Sequence, residues 1–276
     1  MRVDGIVSDV TERREAQRAL AAREREHRAL AARLQRANEE LEAFAYSVSH
    51  DLRTPLRTMQ GFAHALLQDH GDRMPDEALD YVRRILASGE RAEELIRDLL
   101  AYSRLSFEEL RLQPVALEGV VSEALARVRE EVDAADAEID VEGALPEVLG
   151  HTSTLVQVLV NLLANALKFV PAGRSPRVRV RGERRGDAVR LWVEDNGDGI
   201  PREQHERIFR VFERRPEDAE RPGTGIGLAI VRRGMERIGG SSGVESAPGE
   251  GSRFWLELPR AGGETPDRRR RARRGG

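Results

Sequence analysis

Ser49-His50-Asp51-Leu52-Arg53-Thr54-Pro55-Leu56 is the stretch on which the reading of the first half of the chain turns. Upstream of it, Leu20, His27, Leu34, Leu41 and Val48 recur at every seventh residue. Ala16, Arg23, Leu30, Ala37 and Phe44 form a second such series three or four positions away. Together they make an a/d seam that zips helices into a coiled coil or bundle, with Arg23 and His27 as a polar layer that sets register. His50 follows Val48 by two residues, which turns it about 200° from the seam and toward solvent. Asp51 beside it can accept the proton of one ring nitrogen and leave the other as a nucleophile, since an imidazole of pKa about 6.5 is mostly neutral near neutral pH. Pro55 removes a helical N–H and predicts a kink just after the histidine. On these residues alone, an ordinary surface histidine on a coiled coil is the competing reading.

Composition narrows the field. Of 276 residues, 39% are hydrophobic and 4% aromatic, enough for one or two modest cores plus extended helix. A net charge of −3 sets up no global field for nucleic acid or membrane. Cysteine is absent, which excludes disulfides, thiolate zinc sites and cysteine nucleophiles. No apolar run approaches the ~20 residues of a membrane span and no signal-peptide pattern opens the chain, so a cytoplasmic protein without membrane insertion is expected. Lys168 is the single lysine among many arginines.

Val3 to Val10 reads as a short strand and Thr11-Glu12 as a helix start. Helix formers then dominate to about His70, and Gly71-Asp72-Arg73-Met74-Pro75 breaks the helix. Asp76 is expected to cap a second amphipathic helix reaching about Leu105, giving a helical hairpin whose apolar face is too long to cover itself. Dimerisation into a four-helix bundle answers that excess. Beyond Leu110 the pattern changes to an edge strand over 110–117, a helix over 118–135 and a strand near 137–141. A strongly apolar helix over 151–169 follows, then paired strands 177–181 and 188–194 around Gly186-Asp187. Helices over 201–212 and 227–238 and a strand over 253–258 complete an α+β sandwich. Residues 261–276, rich in arginine but without interleaved aromatic residues, read as a solvated tail and not as a nucleic-acid patch.

Three segments of this second half fit together as a nucleotide site, although a buried asparagine pair, a polar turn and a lone glycine run each also have a purely structural reading. Asn161 and Asn165 share one helical face, with Lys168 a step further along it. Amide oxygens there can complete a magnesium shell, and a lysine can neutralise phosphates. In Asp195-Asn196-Gly197-Asp198-Gly199-Ile200, glycines admit positive φ and close approach, and a carboxylate can accept from an exocyclic amine such as that of adenine. The acids lack the spacing of a calcium loop. Gly223-Thr224-Gly225-Ile226-Gly227-Leu228 opens a helix whose N–H groups form an anion nest.

Taken in order, the His50 stretch, Asn161–Phe169, Asp195–Ile200, Ile208-Phe-Arg-Val-Phe212 and Gly223–Leu228 resemble the H, N, G1, F and G2 boxes of sensor histidine kinases. Phe44 to Leu56 is most similar to kinases behind PAS or phytochrome sensors, and Gly5 to Arg13 resembles a PAS exit segment. The resemblance implies a dimeric helical hairpin followed by a Bergerat-type ATP-binding domain. It divides the chain into a PAS remnant (1–12), a coiled-coil linker (13–42), a dimerisation and phosphotransfer domain (43–106), an ATP-binding domain (110–260) and the tail (261–276). On that reading the chain is a fragment or truncated product without its sensor.

By the same resemblance, His50 is the phosphoacceptor, Asp51 its orienting acid, and Thr54 positions water in dephosphorylation. Asn165 ligates Mg²⁺, and Asn161 and Lys168 lie near the phosphates of ATP. Asp195, supported by Gly197 and Gly199, reads adenine. Gly223, Thr224, Gly225, Gly227 and Leu228 line the phosphates beneath a lid drawn from residues 213–222. The implied activity is autophosphorylation of His50 and transfer to an aspartate of a response-regulator receiver domain. The alternatives are a phosphatase-biased relative or an inert scaffold that binds a receiver. Three departures from the family pattern predict a less stable ATP domain: Ser241-Ser242-Gly243 imply a frayed strand, Gly234 lies inside the last helix, and Ile238 stands where histidine is common.

Overall fold

The computed structural model describes residues 51–107, 110–214, 221 and 223–262, together with isolated positions 23, 25, 26, 29, 30, 33 and 47. The chain divides into two compact units, Met1–Val48 and Ser49–Gly276. In the first, the isolated positions are helical and exposed, including Arg23 and Leu30 of the seam. Most of the seam, the expected strand over Val3 to Val10, His50, most of the expected lid over 213–222 and the arginine-rich tail from residue 263 lie outside the described residues.

The second unit begins with helix α1 (51–70), which stays helical through Pro55. A 3₁₀ turn at Gly71–Arg73 reverses the chain into α2 (Asp76–Phe107). Asp76 is the first helical residue and not the cap: the Pro75 carbonyl receives the N–H groups of Ala78 and Leu79. The carboxylate still favours the positive end of the helix dipole. Ala63 packs on Val82 and Leu86 between the two helices, with Leu67 and Met74 beside them.

The remainder is a sandwich. A two-stranded antiparallel sheet joins β1 (Gln113–Ala116) to β3 (Glu147–Gly150). A five-stranded sheet holds β2 (Glu138–Glu142), β4 (Arg177–Arg185), β5 (Ala188–Asp195), β6 (Ser241–Ser246) and β7 (Ser252–Pro259) in the order β2-β4-β5-β7-β6. Only β2 and β4 run parallel. Helices α3 (Leu117–Arg127), α4 (Arg129–Ala134), α5 (Thr152–Lys168) and α6 (Gly227–Arg237) complete the unit. Leu155, Leu159, Leu162 and Leu163 of α5 meet Val178, Val189, Leu191, Val193 and Leu256 in one buried core. Strand alternation turns Trp192 and Trp255 to the other face of the sheet. There Arg181, Arg190 and Arg253 stack on Trp192, and Trp192 is buried by charged side chains.

Several expectations change. The helix over 118–135 divides at Val128, whose side chain enters the core. No helix spans 201–212: two 3₁₀ turns, Arg202–Gln204 and Arg207–Phe209, stand there. Residues 202–207 offer no apolar stripe to hold a longer helix. Strand β3, which sequence reading missed, pairs all four of its residues with β1. The frayed strand is not found: Ser241–Ser246 pairs with β7 along its full length. Gly243 faces the Trp255 indole across the pair, and a β-carbon there would collide with the ring. The indole covers what the glycine leaves bare, which offsets the weakness of a strand glycine. Gly234 has a similar purpose: a β-carbon would sit 2.9 Å from Val158 Cγ2 and 3.2 Å from Thr154 Cγ2, so glycine lets α6 nest on α5. Ile238 is fully buried in the same core.

Candidate nucleotide and phosphoacceptor site

The C-terminal half of α5, the loop after β5 and the start of α6 adjoin. Asn161 Oδ1 lies 2.8 Å from where a Gly227 β-carbon would stand, and Gly223 leaves no room for one against Lys168 Nζ. Asp198 donates its N–H to the Phe169 carbonyl at 2.9 Å, and Gly197 packs against the same carbonyl. Asn161, Lys168, Gly197, Gly223 and Gly227 therefore border one another. Asn161 Nδ2 bonds the Gln157 carbonyl at 2.8 Å, which fixes its oxygen toward α6. Asn165 is half-buried one turn on, and among the described residues nothing hydrogen-bonds its side-chain amide. Leu228, half-buried, begins α6 beside the core.

Asp195 ends β5. Its Oδ1 accepts the N–H of Gly197 at 2.9 Å and of Ser252 at 3.1 Å. Both bonds fall on one oxygen, Oδ1. Burial raises its pKa to about 6, with Asp198 adding to the rise, although the two N–H bonds work the other way. Gly199 has φ +73°, and its α-carbon lies so close to the Ala247 carbonyl that no side chain fits. The turn before β7 was missed by sequence reading, although Pro248-Gly249-Glu250-Gly251-Ser252 carries a glycine signal like those that were noticed. It supplies the Ser252 bond to Asp195, and Ser246 Oγ ties it to the Ile200 N–H at 2.8 Å.

Two further charged groups have no sequence signal. Arg221 pairs with the Asp198 carboxylate and stacks on Phe169. Asp98, on α2, accepts the Thr224 hydroxyl at 2.5 Å, while that same oxygen receives the Ile226 N–H at 3.2 Å. Burial raises the pKa of Asp98 against the opposing effects of the Thr224 bond, Arg97 and Lys168. Gly225, at φ +74°, turns the chain so that its carbonyl accepts the Phe212 N–H at 3.0 Å. That places the Phe212 turn against the start of α6.

Of the phosphoacceptor stretch, His50 lies outside the described residues. Asp51 and Thr54 are exposed on the first turns of α1, and the Thr54 carbonyl accepts the Thr58 hydroxyl at 3.1 Å.

Residues 40–108 match the His Kinase A (phospho-acceptor) domain, and residues 150–262 match the histidine kinase-, DNA gyrase B- and HSP90-like ATPase. The chain is 36% identical over 230 residues to the phytochrome-like protein Cph1 of Synechocystis sp., covering 83% of this chain and 30% of that protein. It is 35% identical over 231 residues to the sensor-like histidine kinase SenX3 of Mycolicibacterium smegmatis, covering 81% of this chain and 58% of that one. The chain thus spans less than two thirds of the length of either relative. A crystal structure of full-length ShkA in complex with AMPPNP superposes with a TM-score of 0.59 at 32% identity, over 78% of this chain and 45% of that one. With a phosphoacceptor hairpin and an ATPase sandwich in that order, the chain belongs to the sensor histidine kinases.

Proposed function

We propose that this chain is an ATP-dependent protein-histidine kinase that phosphorylates His50 and passes the phosphoryl group to an aspartate of a response-regulator receiver domain. The observation that carries the reading is the close approach of Asn161, Lys168, the Asp195 loop and the Gly223–Gly227 turn. There, Asp195 Oδ2 accepts the adenine amine, and the turn N–H groups with Lys168 hold the phosphates. No cluster of three or more His, Asp or Glu residues able to hold a metal occurs among the described residues. A Mg²⁺ that keeps water and phosphate as most of its ligands needs only one amide oxygen, and the half-buried Asn165 fits that part. When bound, the ion would neutralise charge on the phosphates.

A neutral His50 nitrogen attacks the γ-phosphorus with its lone pair. The bond to the β–γ bridging oxygen breaks and ADP leaves. The remaining ring N–H of the phosphoimidazolium is shared with Asp51, whose place next to His50 suits that proton. Positioning supplies most of the rate, because the ATP domain must bring the γ-phosphoryl in line with the ring.

The domain division follows the same reading: a PAS remnant, linker, phosphotransfer hairpin, ATP domain and tail. Phe62, Met59, Tyr81 and Ile85 are more than half exposed on the hairpin, and a second copy of the hairpin is the partner that would cover them. No described helix is long and apolar enough to cross a membrane.

The test is autophosphorylation with γ-labelled ATP and Mg²⁺ in wild type and His50→Gln. Acid-labile, base-stable label lost in the variant supports the kinase. ATP binding without label would favour a phosphatase acting through Thr54, or an inert scaffold.

A further inference from the structure

One of the donors assigned to the nucleotide phosphates, the Thr224 hydroxyl, is already engaged by a carboxylate of the chain itself. Thr224 sits in the glycine run at the start of α6, is only 9% exposed, and gives its hydroxyl hydrogen to Asp98 Oδ2 at 2.5 Å. Lys168, the one lysine of the chain, lies against Gly223 in the same run, and its charge is felt by Asp98. Asp98 belongs to α2, outside the sandwich. Further along that helix, Leu105 is buried against Ile226 and Ile230, with Ala101, Tyr102 and Val211 around them. Asp98, Ala101, Tyr102 and Leu105 are spaced three, one and three residues apart, so they form one helical stripe. Its polar end meets the phosphate-side donors, and its apolar end meets the first turns of α6.

We propose that Asp98 is an internal stand-in for a nucleotide phosphate, which holds the ATP domain against α2 until ATP takes its donors. The proposal rests on the nucleotide reading above and adds a regulatory residue to it. A triphosphate in contact with Thr224 and Lys168 would face the Asp98 carboxylate at short range, where like charges repel strongly in a partly buried site. Docking and nucleotide binding then oppose each other, and by linkage each weakens the other by the same factor. The docked population lowers the apparent ATP affinity by the fraction of molecules in which the site is open. Loading with ATP frees the domain when it must travel to His50, and an unloaded domain stays parked. A mere structural strut between α2 and α6 would make the same hydrogen bond but would not compete with ATP.

The experiment uses the full chain with ATP and Mg²⁺ and measures the dissociation constant by displacement of a fluorescent ATP analogue. Wild type is compared with Asp98→Asn, which keeps the size of the side chain, with Asp98→Ala, and with Leu105→Ala at the apolar end. Both Asp98 variants should bind ATP about tenfold more tightly, the scale of a part-buried bond to a charged group. Leu105→Ala should shift affinity in the same direction. The absence of cysteine allows spin labels at Glu90→Cys on α2 and Glu250→Cys on the ATP domain. ATP should lengthen the wild-type distance to the one that Asp98→Ala shows without nucleotide. Equal or weaker ATP binding in the Asp98 variants, with wild type binding normally, overturns the proposal. If wild type and every variant fail to bind ATP, the nucleotide reading itself falls, and this proposal falls with it.

Discussion

The hairpin and the sandwich place their apolar residues in opposite ways. In the sandwich, Leu155, Leu159, Leu162 and Leu163 of α5 are all 1% exposed, and both faces of that helix are served by neighbours from this same chain. In the hairpin, Phe62 is 70% exposed, and only a small cluster around Ala63, Val82 and Leu86 closes between the two helices. A sheet with helices on one face can bury a stripe from each. Two antiparallel helices bury only the seam between them and leave a second stripe outside. The sandwich therefore closes its own core, and on the proposed reading the hairpin is half of an interface.

The strongest way to break that contrast is a matched pair of truncations. Leu162→Ala should destabilise the sandwich by about 3 kcal/mol, since it deletes a buried side chain and leaves a cavity. Chemical denaturation should report the same loss at every protein concentration. Phe62→Ala should leave the sandwich transition unmoved and weaken self-association, read as a concentration-dependent shift in sedimentation. A concentration-independent loss of similar size in Phe62→Ala would mean that the hairpin is self-sufficient after all.

A second test lies within the sandwich, at the partly buried Asp195, which the proposed function assigns to binding. On the proposed reading Asp195 meets adenine as a carboxylate, and burial raises its pKa to about 6. ATP affinity should therefore plateau above about pH 7 and fall about tenfold by pH 5, where most molecules carry the proton. Stability runs the other way. The folded-state pKa lies above the unfolded value of 3.8, so the folded domain holds this proton more tightly. That advantage is present in acid and lost as pH rises through about 6. Asp195→Asn keeps an Oδ1 acceptor for Gly197 and Ser252 while removing the buried charge. Its melting temperature should exceed that of wild type at pH 8, with the gap closing toward pH 4, while ATP binding is lost. A variant less stable than wild type at pH 8 would count against burial as the cause of the shift.

How far the sequence could be read follows from the range of the forces involved. Periodicity reported α5, the β4–β5 hairpin and β7, because each buries a regular stripe against the core. The N, G1 and G2 segments stand out in the sequence because their amides and glycines cluster at short spacing. Strand β3 is four residues, too short for alternation to register, and the 201–212 stretch is apolar only at its end, so helix propensity there had nothing to dock against. Asp98 lies 126 residues from Thr224, and no local pattern on α2 sets it apart from other helix-surface acids. Gly243 and Gly234 read as defects in isolation and become fitted only once Trp255 and Val158 are placed against them.

The smallest effect offers a sharper look at that last point. Gly234→Ala gains up to about 1 kcal/mol of intrinsic helix propensity. Against this, the new methyl must fit 2.9 Å from Val158 Cγ2 and 3.2 Å from Thr154 Cγ2, both closer than ordinary van der Waals contact. Overpacking of a closely packed core costs about 1–3 kcal/mol, so the net effect should be a loss of about 1 kcal/mol. Adding Val158→Ala removes the nearer obstacle, so the two changes should interact: the double variant should be more stable than the sum of the single losses. Strict additivity would place the steric cost elsewhere, and a stabilised Gly234→Ala would mean that α6 can move off α5 without loss. The propensity rule that marked Gly234 as a weakness would then outweigh the packing that explains it.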